Sequence, residues 1–443
     1  MRIVILIVLI ASPTCLAVPV GAERSRRPLT DADADTGKSI YVRECSSCHG
    51  ELGDGAGPAS EYLDPRPRDF TRERFRLRST VSGVPPATAD IVRTIARGIP
   101  GTAMPAFDVL ARAEQQQVAA YVLKLAGLLH EPEPATVKIA APPPANAGSV
   151  EKGKQIYADS GCPACHGVSG GGDGSSAAQL KDDRGRAIKA RDFTRGVYRG
   201  GSTREDVYTR LVTGMDGTPM AEYREAIDPP ELWALTDYVL SLRQPAMPLR
   251  TASEVIAKYG CRGCHILDDG SGGLVGPDLR ASAQKLLPRW TREFLAAPRK
   301  FGHIYPANLW RMPNVKLSAE EVEIVTAYLA ALGGRAPSPG SAPDTSRFGA
   351  EQILEGQRIF GSFCRPCHSF GSAGATATRN RQGPDLTHVA ERIDYEWART
   401  WLRKPQHFSF KTTNGTVSFT EEQTDAVQMF VWKTSDRATT ARH

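Results

Sequence analysis

The sequence predicts an all-α chain of four small helical domains in tandem, joined by Pro/Gly-rich linkers. Three observations predict it. A chain of 443 residues exceeds what one compact core organises and divides into several units. A five-residue pattern, Cys-x-x-Cys-His, recurs four times at intervals of roughly 100 residues, the size of a small domain. Each copy follows a short helical segment, and each unit ends in apolar residues at three- and four-residue intervals. The composition, 41% hydrophobic and 23% charged with 41 Gly and 32 Pro, is globular and turn-rich, which excludes collagen, general disorder and a polytopic membrane protein.

The first expected element, residues 1–22, is a signal peptide. Arg2 precedes an apolar run from Ile3 to Ala11, and small residues suited to cleavage follow, with the cut after Ala22 and Ala17 as the alternative. Ser12 and Pro13 cut the run far short of the roughly 20 apolar residues of a spanning helix. Cys15 would leave with this leader, and Ser12-Pro13-Thr14 is a poor approach to a lipidated cysteine. The mature protein is therefore expected in the periplasm or otherwise exported. Of nine Cys, an odd number for a disulfide framework, eight remain.

All eight belong to the recurrent pattern: Cys45-Ser-Ser-Cys48-His49, Cys162-Pro-Ala-Cys165-His166, Cys261-Arg-Gly-Cys264-His265 and Cys364-Arg-Pro-Cys367-His368. Two thiols about one helical turn apart meet the two vinyl groups of a haem as thioethers, and the adjacent His then lies under the iron. A CxxC redox pair needs no His in the next position, and zinc would require motifs to pair across units. The expected cofactors are four covalently bound haem c.

The expected domains are residues 34–130, 147–243, 251–333 and 350–434. Their opening segments are Gly37-Lys-Ser-Ile-Tyr41, Gly153-Lys-Gln-Ile-Tyr157, Ser253 to Tyr259 and Gly356-Gln-Arg-Ile-Phe360, each with an aromatic shortly before the first Cys. Their closing helices carry Val118, Tyr121, Val122 and Leu125; Leu232, Leu235 and Val239; Val322, Val325 and Leu329; and Val427, Phe430 and Val431. The linkers are Glu131–Gly148, Arg243–Arg250 and Gly333–Ser346.

Each unit resembles a class I cytochrome c domain: a helix carrying CxxCH, a loop over the haem, a Met and a C-terminal helix. The first two units share Arg68-Asp-Phe-Thr-Arg72 and Arg191-Asp-Phe-Thr-Arg195, and the last two share Gly276-Pro-Asp-Leu279 and Gly383-Pro-Asp-Leu386. In class I cytochromes a Pro carbonyl receives the Nδ1 hydrogen of the haem His, a role the resemblance gives to Pro277 and Pro384. Pro58 is the counterpart in the first unit, and the second has no clear one.

The sixth ligand sets the function, because a thioether opposite His raises the potential whereas a second imidazole lowers it. Met104, Met220 and Met312 stand before the last helices and are the expected partners of His49, His166 and His265, with Met215 and Met247 as rivals in the second unit. The fourth unit carries Thr413 where Met312 stands, which leaves His407, His388 or Met429; His407 is preferred as the partner of His368. Irons closed in this way suit an electron carrier rather than a catalyst, so no catalytic residue is expected.

The net charge of +6 is too small to argue for nucleic acid, and the basic run Arg66, Arg68, Arg72, Arg74, Arg76 and Arg78 lacks interleaved stacking aromatics. That run either clamps haem carboxylates or docks an acidic redox partner. The sequence thus reads as a tetrahaem c-type cytochrome passing single electrons between periplasmic or membrane-bound partners. By resemblance, it serves as electron-transfer subunit of a dehydrogenase, a respiratory complex or a terminal oxidase, with any membrane association made through the partner. Two alternatives stand beside it: a haem enzyme with a substrate site at the fourth haem, and a filament-forming structural cytochrome.

Overall fold

The computed structural model describes residues 28–72, 74–244, 251–273, 275–280, 282–304, 311–333, 348–366, 368–371, 384–403 and 419–440. The expected leader and residues 245–250 and 334–347 of the linkers lie outside them. Among the described residues the chain is all-α, as expected, with no strand beyond two isolated bridges, Lys181–Ala187 and Leu286–Ile393. None of these helices is long and apolar enough to cross a membrane.

Four helical groups follow one another. The first holds α1 (Asp31–Glu44), α2 (Ser46–His49), α3 (Thr88–Arg97) and α4 (Arg112–Leu125). The second holds α5 (Ala147–Asp159), α6 (Pro163–His166), α7 (Arg204–Thr213) and α8 (Pro229–Ser241). The third holds α9 (Ala252–Tyr259), α10 (Ser282–Lys285), α11 (Pro288–Ala296) and α12 (Ala319–Leu332). The fourth holds α13 (Ala350–Ile359), α14 (Val389–Arg392), α15 (Tyr395–Arg403) and α16 (Glu421–Thr440).

Each group closes around its own apolar core, and the first and last helices of each group pack against each other across it. Local chemistry sets where these helices begin. Thr30 accepts from the Asp33 amide while the Asp33 carboxylate takes the Thr30 amide, a reciprocal cap that starts α1. The Thr251–Glu254 and Ser318–Glu321 pairs start α9 and α12 in the same way.

In three of the groups the helix crossing is set by a glycine. A Cβ added at Gly37, Gly153 or Gly356 would lie 1.9 to 2.0 Å from a carbonyl oxygen of the closing helix, Gln117, Ala234 or Ala426 respectively. Only a residue without a side chain admits backbones this close. The crossing in turn carries the following motif to the centre of its group.

The groups also touch one another, by different means. Arg76 and Arg78 of the first reach Asp182 and Asp216 of the second, at 3.1 and 2.7 Å, and Arg184 of the second pairs with Asp69. Glu44 of the first takes a two-pronged contact from Arg299 of the third, at 2.6 and 3.2 Å. The third and fourth join through backbone: the Leu287 amide donates to the Arg392 carbonyl at 2.9 Å and the Asp394 amide to the Lys285 carbonyl at 2.8 Å.

Candidate haem sites

In each motif the histidine follows directly from its helix. α2 and α6 are single turns that end on His49 and His166, and the amides of both histidines donate to the carbonyl of the first Cys of the motif. His265 and His368 close the same bond to Cys261 and Cys364. A turn of this kind brings the i and i+3 positions of the motif to one side with the histidine next to them, the spacing that thioether attachment requires.

All four imidazoles are held by a backbone carbonyl. His265 Nδ1 lies 2.8 Å from the Pro277 oxygen and His368 Nδ1 2.8 Å from the Pro384 oxygen. In the first unit the acceptor is the Arg68 carbonyl at 3.0 Å, not Pro58, and in the second it is the Arg191 carbonyl at 3.0 Å. A carbonyl can only accept, so in each ring Nδ1 carries the hydrogen and Nε2 keeps its lone pair for a metal. Burial pushes His49 down to about 4 and lowers His166, His265 and His368, so the neutral imidazole needed for ligation prevails.

The shared Arg-Asp-Phe-Thr-Arg segment therefore has a definite task. Its first residue supplies the carbonyl, and its Phe lies flat on the imidazole: ring centres of Phe70 and His49 are 4.5 Å apart, those of Phe193 and His166 4.3 Å, both pairs inclined by 19°. The Asp shapes the turn. Asp69 accepts from the amide and hydroxyl of Thr71, and Asp192 does the same for Thr194. The repetition is plain in the sequence but its role is not, since any residue can offer a carbonyl.

Met104 and Met220 sit in loops built alike. The Met104 carbonyl accepts from the Ile99 amide and its amide donates to the Thr102 hydroxyl at 3.2 Å; Met220 repeats both contacts with Met215 and Thr218. Met215 thus stands where Ile99 stands, and it faces the cavity of the first unit, whereas Met220 packs against the core of the second. Met312 packs against the third core. In the fourth unit Met429 is fully buried in the core and His388 Nδ1 lies 3.2 Å from Glu391 Oε1. Cys367, His407 and Met247 lie outside the described residues.

The walls around these ligands fit a haem. An apolar cavity of ≈590 Å³ opens onto Cys48, His49 and Met104, and its wall includes the side chains of Arg76, Arg199 and Arg311. One guanidinium nitrogen of each of these three, Nε, is buried without a hydrogen-bond partner. Burial lowers Arg199 to about 10 and Arg68, also in the wall, to about 10, so both remain cations in an apolar wall. Arg76 is already paired with Asp182, but Arg199 and Arg311 have no such carboxylate among the described residues, and their buried cationic donors call for an anion; the carboxylates of a haem are anions of matching geometry.

The thiols agree. Burial pushes Cys162 and Cys261 up to about 11 and Cys264 to about 12, the reverse of what an activated redox pair requires. Among the described residues no group of three or more His, Cys, Asp or Glu is placed to hold a metal ion.

Fold and site together fit covalently bound haem c at the CxxCH motifs, as in a multihaem c-type cytochrome. The comparisons with known proteins agree for two of the units. Residues 32–122 match the family Cytochrome C oxidase, cbb3-type, subunit III, and residues 150–243 match the family Cytochrome c. The chain therefore carries two cytochrome c domains between residues 32 and 243. It is 33% identical over 164 residues to a Cbb3-type cytochrome c oxidase subunit CcoP of Azospirillum sp. (strain B510), a match covering 33% of this chain and 45% of that protein. The chain thus spans less than half the length of that curated relative. Among solved structures, a chain of the reducing HAO-like protein complex of Kuenenia stuttgartiensis is 39% identical, over 47% of this chain and 96% of that one, with a TM-score of 0.46.

Proposed function

We propose that the chain is a tetrahaem cytochrome that passes single electrons between periplasmic or membrane-bound redox partners, as the electron-transfer subunit of an oxidoreductase or respiratory complex. The observation that carries the reading is the fourfold imidazole geometry: four CxxCH histidines, each with Nδ1 on a backbone carbonyl at 2.8 to 3.0 Å. Haem c, when bound, supplies a one-electron exchange at its iron.

In this reading the domains span 34–130, 147–243, 251–333 and 350–434, preceded by an export signal over 1–22. Cys45 with Cys48, Cys162 with Cys165, Cys261 with Cys264, and Cys364 with Cys367 are the anchors. His49, His166, His265 and His368 ligate on one side, with Met104, Met220, Met312 and, on sequence grounds, His407 on the other. What the chain's own residues do is hold these ligands, keep water from them and neutralise haem carboxylates with arginine. The likeness to a cbb3 oxidase subunit supports a role inside a larger redox assembly.

A haem assay combined with a spectroscopic potentiometric titration tests the reading. Four haems per chain are expected, and Met104→His, Met220→His and Met312→His should each lower the potential of one haem and leave the others in place. Fewer than four haems, or variants without effect on potential, would contradict it.

A further inference from the structure

We propose that the first and third haem sites form one two-haem chamber, so that the nearest haem neighbours in this protein are the first and third rather than any pair adjacent in sequence. The inference rests on the four-haem reading and adds an arrangement to it.

The ≈590 Å³ cavity that opens onto Cys48, His49 and Met104 is lined as well by Cys264, His265 and Met312. Two motifs more than 200 residues apart in the chain therefore face one apolar space.

The third motif is built for this approach. It reads Cys261-Arg-Gly263-Cys264, where the first has Ser47, the second Ala164 and the fourth Pro366 at the glycine position. A Cβ at Gly263 would lie 2.5 Å from Leu63 Cδ2 of the first unit, and one at Gly260 would lie 2.8 Å from Ala103 Cβ. Gly260 also has φ 65°, a conformation that side chains resist. Glycine at 260 and 263 lets the third motif press against Leu63 and against Ala103 in the loop that carries Met104.

The join is then locked beside the motifs. Glu44, the residue before Cys45, takes both terminal nitrogens of Arg299, and the two side chains are only 3% and 16% exposed. A buried two-pronged pair of this kind fixes geometry as well as charge. The second unit meets the same cavity through Arg199 and Met215, while Cys162, Cys165 and His166 of its own motif are not in the wall and Cys162 packs against the second core. Together with the backbone join between the third and fourth units, the contacts run second–first–third–fourth.

The test is magnetic coupling in the oxidised four-haem protein, read by pulsed EPR relaxation. The strongest coupled pair of ferric signals should vanish in the double variant Cys45→Ser/Cys48→Ser and equally in Cys261→Ser/Cys264→Ser, and should persist in Cys162→Ser/Cys165→Ser. A pair that survives loss of the third motif, or that disappears with the second, would overturn the proposal. Gly263→Val keeps every anchor and ligand; it should leave the haem count unchanged and weaken that coupling several-fold, and unaltered coupling in a variant with all haems in place would also overturn it. The haem count separates the two levels: a shortfall in the unmodified protein refutes the four-haem reading, whereas a full count without first–third coupling refutes only the chamber.

Discussion

The first two units and the last two solve one problem in different ways. Both must hold an imidazole with Nδ1–H on a carbonyl. The last two do it with the Pro of Gly-Pro-Asp-Leu, and the first two with the leading Arg of Arg-Asp-Phe-Thr-Arg, which brings a stacked Phe as well. The difference extends to assembly. The first pair is joined by buried ion pairs between side chains, the second pair by backbone hydrogen bonds and a cation over a ring. A segment rich in arginine can therefore form a haem wall and an ion-paired domain interface at once.

Arg78 is where that difference can be broken most severely. Its side chain is 0% exposed and donates to Asp216 at 2.7 Å and to the Thr213 carbonyl at 2.8 Å, both across the join. Arg78→Ala removes the cation facing Asp216, which keeps only the Ser82 hydroxyl and the Gly83 amide, and the donor to the Thr213 carbonyl, a loss of about 3 kcal/mol. In calorimetry or denaturant titration the first two units should then unfold separately instead of together. A single unchanged transition would show that the arginines do not join the pair.

Phe193→Leu probes the stacked ring that the first two units share. The pair with His166 should contribute about 1 kcal/mol beyond simple burial, so stability falls by about that amount while the Arg191 carbonyl bond holds the ring tautomer. In the holoprotein one potential should shift and the haem count stay fixed. If the haem of the second unit is lost outright, the carbonyl alone does not fix the ring, and the two solutions are less alike than the distances suggest.

These contrasts also show what the sequence could and could not disclose. The CxxCH pairs 45/48, 162/165 and 261/264 were legible because thioether chemistry demands those residue types at that spacing. Pro277 and Pro384 were legible because proline marks its place. Arg68 and Arg191 were not, since their contribution is a backbone carbonyl, and analogy with the later units points wrongly to Pro58. The closing helices can be read from their period, but the glycine crossings at Gly37, Gly153 and Gly356 carry no signal beyond a repeated Gly. The partners of the arginine run are hidden for a different reason: Asp182, Asp183 and Asp216 lie more than 100 residues away, and charge alone does not say which side chains meet.

The join between third and fourth units should be more tolerant than that between first and second. Lys285 Nζ stands 5.2 Å from the Trp397 ring centre, but the backbone bonds beside it do not depend on either side chain. Trp397→Leu should cost about 0.5–1 kcal/mol and leave these two units unfolding together. A loss as large as that of Arg78→Ala would place the two joins on the same footing.

Lys189 and Asp64 set the lower bound of the comparison. This pair also crosses between the first and second units, at 3.0 Å, yet its side chains are 83% and 72% exposed. Water screens such a pair and the long lysine loses rotamer freedom in making it, so Lys189→Ala should change stability by less than about 0.5 kcal/mol. The effect should shrink further when salt is raised, because the screening length falls as ions are added. A cost above about 1 kcal/mol in Lys189→Ala, measured by denaturant titration, would mean that surface charge and not burial joins the first two units, and the role of Arg78 would pass to the interface as a whole.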